Sequence, residues 1–209
     1  MRRPWKPWPI RLRNWRWDIK VAGYTVILDA CVLYPANVRD VLLELAYGGL
    51  FRARWTKDIQ REWRDALLRD YPKVTPESIA ITQRNMDLAV MDAIVDGYED
   101  LISSLDLPDS KDRHVLAAAI RCDADAIVTC NLKDFPEDQL SKYQIEPLHP
   151  DEFLVHQLGL DGDLVIFSIN RIRARLKKPP MTATSYLQRL RQNGLAGFAT
   201  ELQQHLSAI

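Results

Sequence analysis

The residues of this chain best suited to chemistry are a handful of carboxylates. Asp29 closes the apolar run Tyr24–Leu28. Glu62 stands in Gln60-Arg61-Glu62-Trp63, and Asp109 and Asp112 in Pro108-Asp109-Ser110-Lys111-Asp112. Asp134 follows Asn131-Leu132-Lys133. An unpaired buried charge is expensive, so a carboxylate at the end of an apolar strand needs a partner. Several carboxylates within ~4–6 Å repel, so that some protonate or a cation binds. Oxygen donors without a His or Cys companion suit hard ions, Mg²⁺ or Mn²⁺. Such an ion can activate water and stabilise charge growing on a phosphoryl group, and a pair ~3.5–4 Å apart can clamp both attacking and leaving oxygens.

Each acid also has a plainer reading. Asp112 could be a helix N-cap and Asp109 a turn residue. Glu62 could be a solvated surface acid, with Asp65 three residues on. Asp134-Phe135-Pro136 could be a turn. The set, in this order, is what raises the metal reading. The histidines add little from sequence. His114 reads as a packing or surface residue and His149 as a turn residue, and neither has metal-site spacing to a second His.

The elements that must position these acids alternate. Tyr24–Leu28 reads as a strand that breaks into a loop after Asp29. Val38–Tyr47 reads as a helix, with Val38, Val41, Leu42 and Leu45 at helical spacing and Gly48-Gly49 at its end. Leu50–Trp55 is a predicted strand, and Thr56 a predicted cap for a helix over Lys57–Arg69. Thr75-Pro76 should open a long helix reaching about Asp96. A small-residue helix is expected over Arg113–Arg121, strands over Ala126–Thr129 and Tyr143–Leu148, and a helix from Pro150. Further helices fit 161–176, 182–192 and 195–207. Strands separated by helices imply a parallel sheet covered on both faces. The carboxyl ends of its strands are where ligands bind.

At these residues the sequence resembles PIN-domain ribonucleases. The stretches concerned are Val26–Leu33, Glu62, Leu107–Ala119 and Ile127–Pro136, within residues 24–155. The similarity is greatest to the bacterial VapC-like toxins. The resemblance implies a three-layer α/β/α fold with a central parallel sheet, followed here by a C-terminal helical extension. It implies Mg²⁺- or Mn²⁺-dependent endonuclease cleavage of RNA, a toxin role restrained by a cognate antitoxin, and a homodimer. By that resemblance Asp29, Glu62 and Asp112 are the catalytic and metal-binding acids. Asn131 stands where the family often has Asp; its carbonyl oxygen can ligate but brings no charge, and Asp134 can supply the missing carboxylate. Asp109 and Thr129 are candidate assisting residues. Cys31 stands where Asn or Ser is common.

Rival chemistries lack their residues. A haloacid-dehalogenase-like phosphatase wants a second Asp two residues after Asp29, where Cys31 stands. A receiver domain wants an adjacent acidic pair earlier in the chain. No GxSxG elbow and no P-loop occur. A different class of alternative is a non-catalytic PIN-like module that binds nucleic acid or a protein partner.

Composition sets the frame. The 209 residues suit one domain with appendages, and 47% hydrophobic content can fill a core. The expected division is a basic Trp-rich extension at 1–20, a nuclease domain at 21–157 and a helical extension at 158–209. A formal net charge of zero hides an acidic middle between two basic ends. Residues 1–20 carry seven Lys/Arg and one acid, residues 171–209 the same, and the middle 14 basic and 26 acidic residues. Trp5, Trp8, Trp15 and Trp17 interleave with basic residues, a pattern able to grip single-stranded nucleic acid. Plainer readings are a tail packed on the body, or sequence upstream of a true start near Val21. Arg171, Arg173, Arg175, Lys177 and Lys178 form a second basic stretch for RNA, the acidic body or the antitoxin. No apolar stretch approaches the ~20 residues that span a bilayer. The three cysteines lack CxxC spacing, so no disulfide framework is expected, and a reducing cytoplasm is the natural setting.

Overall fold

The first strand, β1 (Thr25–Leu28), is buried along its whole length. In the computed structural model, which describes residues 23–177 and 179–209, Asp29 caps a short helix, α1 (Ala30–Leu33), where a loop was expected. Next come α2 (Ala36–Tyr47), β2 (Arg52–Arg54), α3 (Lys57–Asp70) and α4 (Pro76–Ala89). A 3₁₀ turn at Ser110–Asp112 leads into α5 (Arg113–Arg121), followed by β3 (Ala126–Val128) and a 3₁₀ turn at Leu132–Asp134. Then follow α6 (Glu137–Leu140), β4 (Glu146–Leu148), α7 (Pro150–Leu160), α8 (Gly162–Arg175), α9 (Ala183–Gln192) and α10 (Ala196–Glu201).

Local chemistry explains the helix starts. Thr56 Oγ1 accepts from the Ile59 N–H at 3.0 Å and begins α3. Thr75 Oγ1 accepts from Ser78 N–H at 3.3 Å, and Pro76 occupies the first turn of α4, where a missing N–H costs nothing. After α2 the chain turns through Gly49 at φ 83°, a conformation that favours glycine. The Trp-rich segment at 1–20 and Lys178 lie outside the described residues.

The strands form one parallel sheet in the order β2-β1-β3-β4. Helices flank it, as the fully buried β1 and β3 require. The chain leaves β1 toward β2 on one side and returns to β3 on the other. The crevice at the ends of β1 and β3 is therefore the topological switch point, where open α/β sheets place ligands. Register puts Leu28 beside Val128, so Asp29 and Thr129 emerge side by side.

Three elements end differently from their sequence pattern. The helix opened by Thr75 stops at Ala89 rather than near Asp96. Asp92 takes φ 62°, and the chain then runs beside Trp55: Trp55 N–H donates to Ala93 O and Val95 N–H to Trp55 O, both at 2.9 Å. Ala93 and Val95 are buried with strand spacing, so sheet-edge pairing outcompetes another helical turn. The last strand starts at Glu146 rather than Tyr143, because Gln144 turns through φ 60°. The final helix gives way to a 3₁₀ turn at Leu202–His205.

The C-terminal helices are anchored by charge as well as by apolar packing. Val165, Ile169 and Ile172 of α8 are buried. Arg171 and Arg175 of α8 both reach Glu44 of α2, whose side chain is 2% exposed. Asp151, at the start of α7, accepts from the Gly197 and Phe198 N–H groups of α10, each at 2.8 Å. A side chain at 197 would place its Cβ 2.9 Å from that carboxylate, so the Asp151 side chain would have to shift to admit one.

Candidate active site

Asp29 is 5% exposed and its oxygens are held from three directions. Oδ1 accepts from the Ala30 N–H at 2.6 Å. Oδ2 accepts from Thr129 Oγ1 at 2.7 Å and from the Cys31 thiol at 3.0 Å. Thr129 is fully buried, and its hydroxyl oxygen accepts in turn from the Asn131 N–H at 3.0 Å. The carboxylate that follows the first strand is thereby fixed by residues from α1 and the end of β3. Around it Cys31 and Cys130 meet, the Cys130 N–H donating to Cys31 Sγ at 3.1 Å. The neighbouring Cys130 thiol, burial and the charge of Asp29 push Cys31 up, while Cys31 pulls Cys130 down.

Asp112 shares this space. Burial pushes its carboxyl up to about 6, and the charges of Asp29, Asp109 and Asp134 push the same way, against an opposing pull from His114. Three acids from three parts of the chain therefore act on Asp112. Asp109 begins the 3₁₀ turn that presents Asp112, its Oδ1 accepting from the Lys111 N–H at 2.9 Å. Asp134 ends the turn after β3, its N–H donating to Asn131 O at 2.9 Å. Asn131 is exposed, and its backbone N–H is committed to Thr129.

Glu62 reaches the group through a histidine. It lies on α3 with its side chain 42% exposed, and His114 Nε2 stands 2.9 Å from its Oε1. Burial opposes a charged imidazole at His114. The hydrogen bond and charge of Glu62, with Asp58 and Asp29 beyond, outweigh that and raise its pKa. Asp58, one turn before Glu62, accepts from Tyr98 Oη and pairs with Arg61 at 2.5 Å. His114 Nδ1 is buried without a hydrogen-bond partner. His114 is thus the partner of Glu62 that sequence reasoning passed over. Its one signal was its place two residues after Asp112, since nothing in the spacing links it to Glu62.

The acids are within electrostatic reach of one another but not drawn together. Among the described residues, no three His, Cys, Asp or Glu side chains are gathered closely enough to hold an ion. The donor chemistry nevertheless fits a hard cation: oxygen atoms in excess, with Asp112 raised by burial and then by its acidic neighbours.

The basic stretch after residue 170 is largely engaged elsewhere. Besides the Glu44 contacts of Arg171 and Arg175, Arg173 Nη1 donates to Met181 O at 3.0 Å. Lys177 pairs with Pro180 in an isolated bridge. Of these, Arg171 and Arg175 form the seam between the C-terminal helices and the body, while the Arg173 and Lys177 contacts stay within the C-terminal part. His149 is a helix cap, its Nδ1 accepting from the Asp151 N–H at 3.2 Å. A surface cavity of about 510 Å³ at the β2 edge, lined by Tyr47, Phe51, Arg54 and Met91 among others, contains none of the acids.

Comparison with known proteins agrees with this geometry. Residues 25–133 match the family model for the PIN domain, and residues 150–204 match that for the VapC50 C-terminal domain. Over 94 residues the chain is 48% identical to "Putative ribonuclease VapC50" of Mycobacterium tuberculosis, covering 45% of this chain and 55% of that protein. The chain thus spans about half the length of the curated relative it matches. No solved structure matches. With more than half of its residues under the PIN match and a parallel sheet that presents Asp29 beside Thr129, the chain belongs to the PIN domain family and carries a VapC50 C-terminal domain behind it.

Proposed function

We propose that the chain is a divalent-metal-dependent endoribonuclease, and that it serves as the toxin of a toxin–antitoxin pair. The observation that carries this reading is Asp29 held beside Thr129 at the β1–β3 switch point, with Asp112 at the end of the neighbouring 3₁₀ turn pushed up to about 6 by burial and by Asp29, Asp109 and Asp134. Uncompensated negative charge at the switch point of a PIN-family sheet suits a cation. Asp29, Glu62 and Asp112 would hold Mg²⁺ or Mn²⁺, with the Asn131 carbonyl oxygen and Asp134 completing the set and Asp109 assisting. When bound, such an ion supplies an activated water and neutralises charge on the phosphate.

The chain's own residues supply position. Thr129, Cys31 and the Ala30 N–H keep the lone pairs of Asp29 aimed. His114 does the same for the half-exposed Glu62. The ribonuclease designation of the VapC50 relative supports RNA as substrate. A cognate antitoxin, a homodimer and a cytoplasmic setting go with the toxin reading, as does the division at residues 20 and 157. Among the described residues no helix is long and apolar enough to cross a membrane.

The test is RNA cleavage with Mg²⁺ or Mn²⁺ against EDTA, in the native chain and in Asp29→Ala. Cleavage should require the ion and vanish in the variant; equal cleavage by both chains sinks the assignment. A second reading, a binding module without catalysis, draws on neutral Asn131 at a position the family often fills with Asp. RNA binding with no cleavage under any ion favours it. Asn131→Asp should tighten Mg²⁺ binding in calorimetry, and no change places Asn131 outside the ion's contacts.

A further inference from the structure

Two of the three cysteines, far apart in sequence, meet beside Asp29. Cys31 lies in α1 and is half-buried, whereas Cys130 follows Thr129 and is exposed. The Cys130 N–H donates to Cys31 Sγ at 3.1 Å. The same Cys31 sulfur donates to Asp29 Oδ2 at 3.0 Å and lies 3.4 Å from Thr129 Oγ1. Cys122, by contrast, sits past the end of α5 with its thiol on Ala119 O at 3.7 Å.

We propose that Cys31 and Cys130 are a redox-modification site: a low-molecular-weight disulfide converts them to a reversible Cys31–Cys130 disulfide that switches the acid site off. The functional half of this rests on the nuclease reading; the disulfide itself does not. Disulfides need Cα atoms about 4.4–6.8 Å apart. The two cysteines lie just beyond the paired ends of β1 and β3, Cys31 in the first turn of α1 and Cys130 after Thr129, and the Cys130 backbone touches the Cys31 sulfur. The Cys130 backbone nitrogen is two bonds from its own Cβ, so the Cys31 sulfur 3.1 Å from that nitrogen stands close to the base of the Cys130 side chain. Rotation about the Cys130 side chain then suffices to bring the sulfurs into bonding range.

The exchange balances. The exposed Cys130 sulfur gives up its proton to solvent and attacks one sulfur of the reagent, for instance oxidised glutathione. The reagent's S–S bond breaks, one glutathione thiolate leaves, and a mixed disulfide remains on Cys130. Cys31 then gives up its proton and attacks Cys130 Sγ, expelling the second glutathione. The protein's two thiols lose two electrons, and the reagent's disulfide is reduced to two thiols.

The consequence falls on Asp29. Its Oδ2 loses the thiol proton it now accepts and faces a sulfur lone pair instead. The bond also ties α1 to the loop that carries Asn131 and Asp134, so the relative placement of the acids is reset. Cysteine pairs of this kind in reducing compartments are sensing rather than structural.

The experiment equilibrates the full chain in reduced and oxidised glutathione, blocks free thiols by alkylation, and maps peptides without reduction. The expected result is a Cys31–Cys130 cross-linked peptide pair in oxidising buffer that disappears with reductant. RNA cleavage with Mg²⁺ should fall about tenfold on oxidation, as expected for losing one hydrogen bond to a charged group, and should recover on reduction. Cys130→Ser should cleave equally in both buffers, and Cys122→Ser should respond like the native chain. Three results overturn the proposal: no cross-link at any glutathione ratio, a cross-link with unchanged cleavage, or an oxidative loss that persists in Cys130→Ser. A chain that cuts no RNA in either buffer removes the nuclease reading, and the disulfide is then judged on the peptide map alone.

Discussion

Thr129→Val isolates the bond that fixes Asp29. The substitution keeps the shape of the side chain and removes one hydroxyl. In the native chain that hydroxyl donates to Asp29 Oδ2 at 2.7 Å, with Asp29 5% exposed and Thr129 fully buried, so water cannot replace it. A hydrogen bond to a charged group contributes about 1.5–3 kcal/mol. The extra buried methyl of valine returns about 0.8 kcal/mol. The Asn131 N–H also loses its acceptor, but Asn131 is exposed and water takes over there at little cost. The net loss is about 1–2 kcal/mol. With a urea dependence of about 1–3 kcal/mol per molar, the unfolding midpoint should drop by about 0.6 M at constant slope. Thr129→Ser keeps the donor and should restore the orientation of Asp29, losing only what one methyl contributes. RNA cleavage should follow the hydroxyl, falling about tenfold in the valine variant and much less in the serine variant. A valine variant with the native midpoint and native cleavage would show that Asp29 is not held through Thr129.

Other expectations can be checked separately. His114→Ala should lower kcat more than it raises KM, by up to about tenfold, because it removes the group that holds the Glu62 carboxylate, and His114→Gln, whose amide can still donate, should recover part of the loss; a change in KM alone would refute a positioning role. Arg175→Ala leaves buried Glu44 with a single partly exposed partner, Arg171, and should destabilise the chain by about 2 kcal/mol in thermal unfolding. A loss below about 0.5 kcal/mol, the level of an ordinary surface substitution, would show that the seam does not depend on this pair. Burial pushes half-buried Asp40 up to about 6 from 3.8, against Arg39 and Arg175 and with Glu44 adding to the rise. The fold therefore favours its protonated form. Its contribution to stability is complete below the unfolded value and is lost as pH rises through about 6. Asp40→Asn should thus gain most over the native chain at about pH 8, and the gain should shrink on acidification; a gain independent of pH would refute this.

Much of the fold could be read from sequence because its determinants are local. The small-residue run Arg113–Arg121 is helical over that same span, and Thr56 and Thr75 cap the helices they were expected to cap. The crowding of Asp112 by Asp29, Asp109 and Asp134 also followed from local rules, since strand ends and helix starts share one edge of a parallel sheet. What escaped depends on distant partners. The helix after Thr75 looks continuous until Trp55, far earlier in the chain, offers Ala93 and Val95 a strand edge. His114 carries no pattern of its own, and its meaning depends on Glu62 across the helix packing. Arg171 and Arg175 look like an exposed basic stretch because Glu44, a single acid inside an apolar helix, gives no hint that it awaits them.

The same comparison separates two kinds of buried charge here. Glu44 is neutralised within the chain by two arginines, and Asp58 by Tyr98 and Arg61. Asp29 has donors but no cationic partner among its hydrogen bonds, and Asp112 has only His114 working against three acids. A fold that satisfies one set of acids internally and leaves another in mutual repulsion is under strain at the second set. Such strain persists only where the surrounding structure over-determines it, and the hydroxyl, thiol and backbone donors around Asp29 do so. An added cation should therefore relieve that strain, and Mg²⁺ should raise the thermal midpoint of the native chain more than that of Asp112→Asn, in which one of the repelling charges is already gone. An equal rise in both chains would mean that the ion acts elsewhere than at the crowded acids.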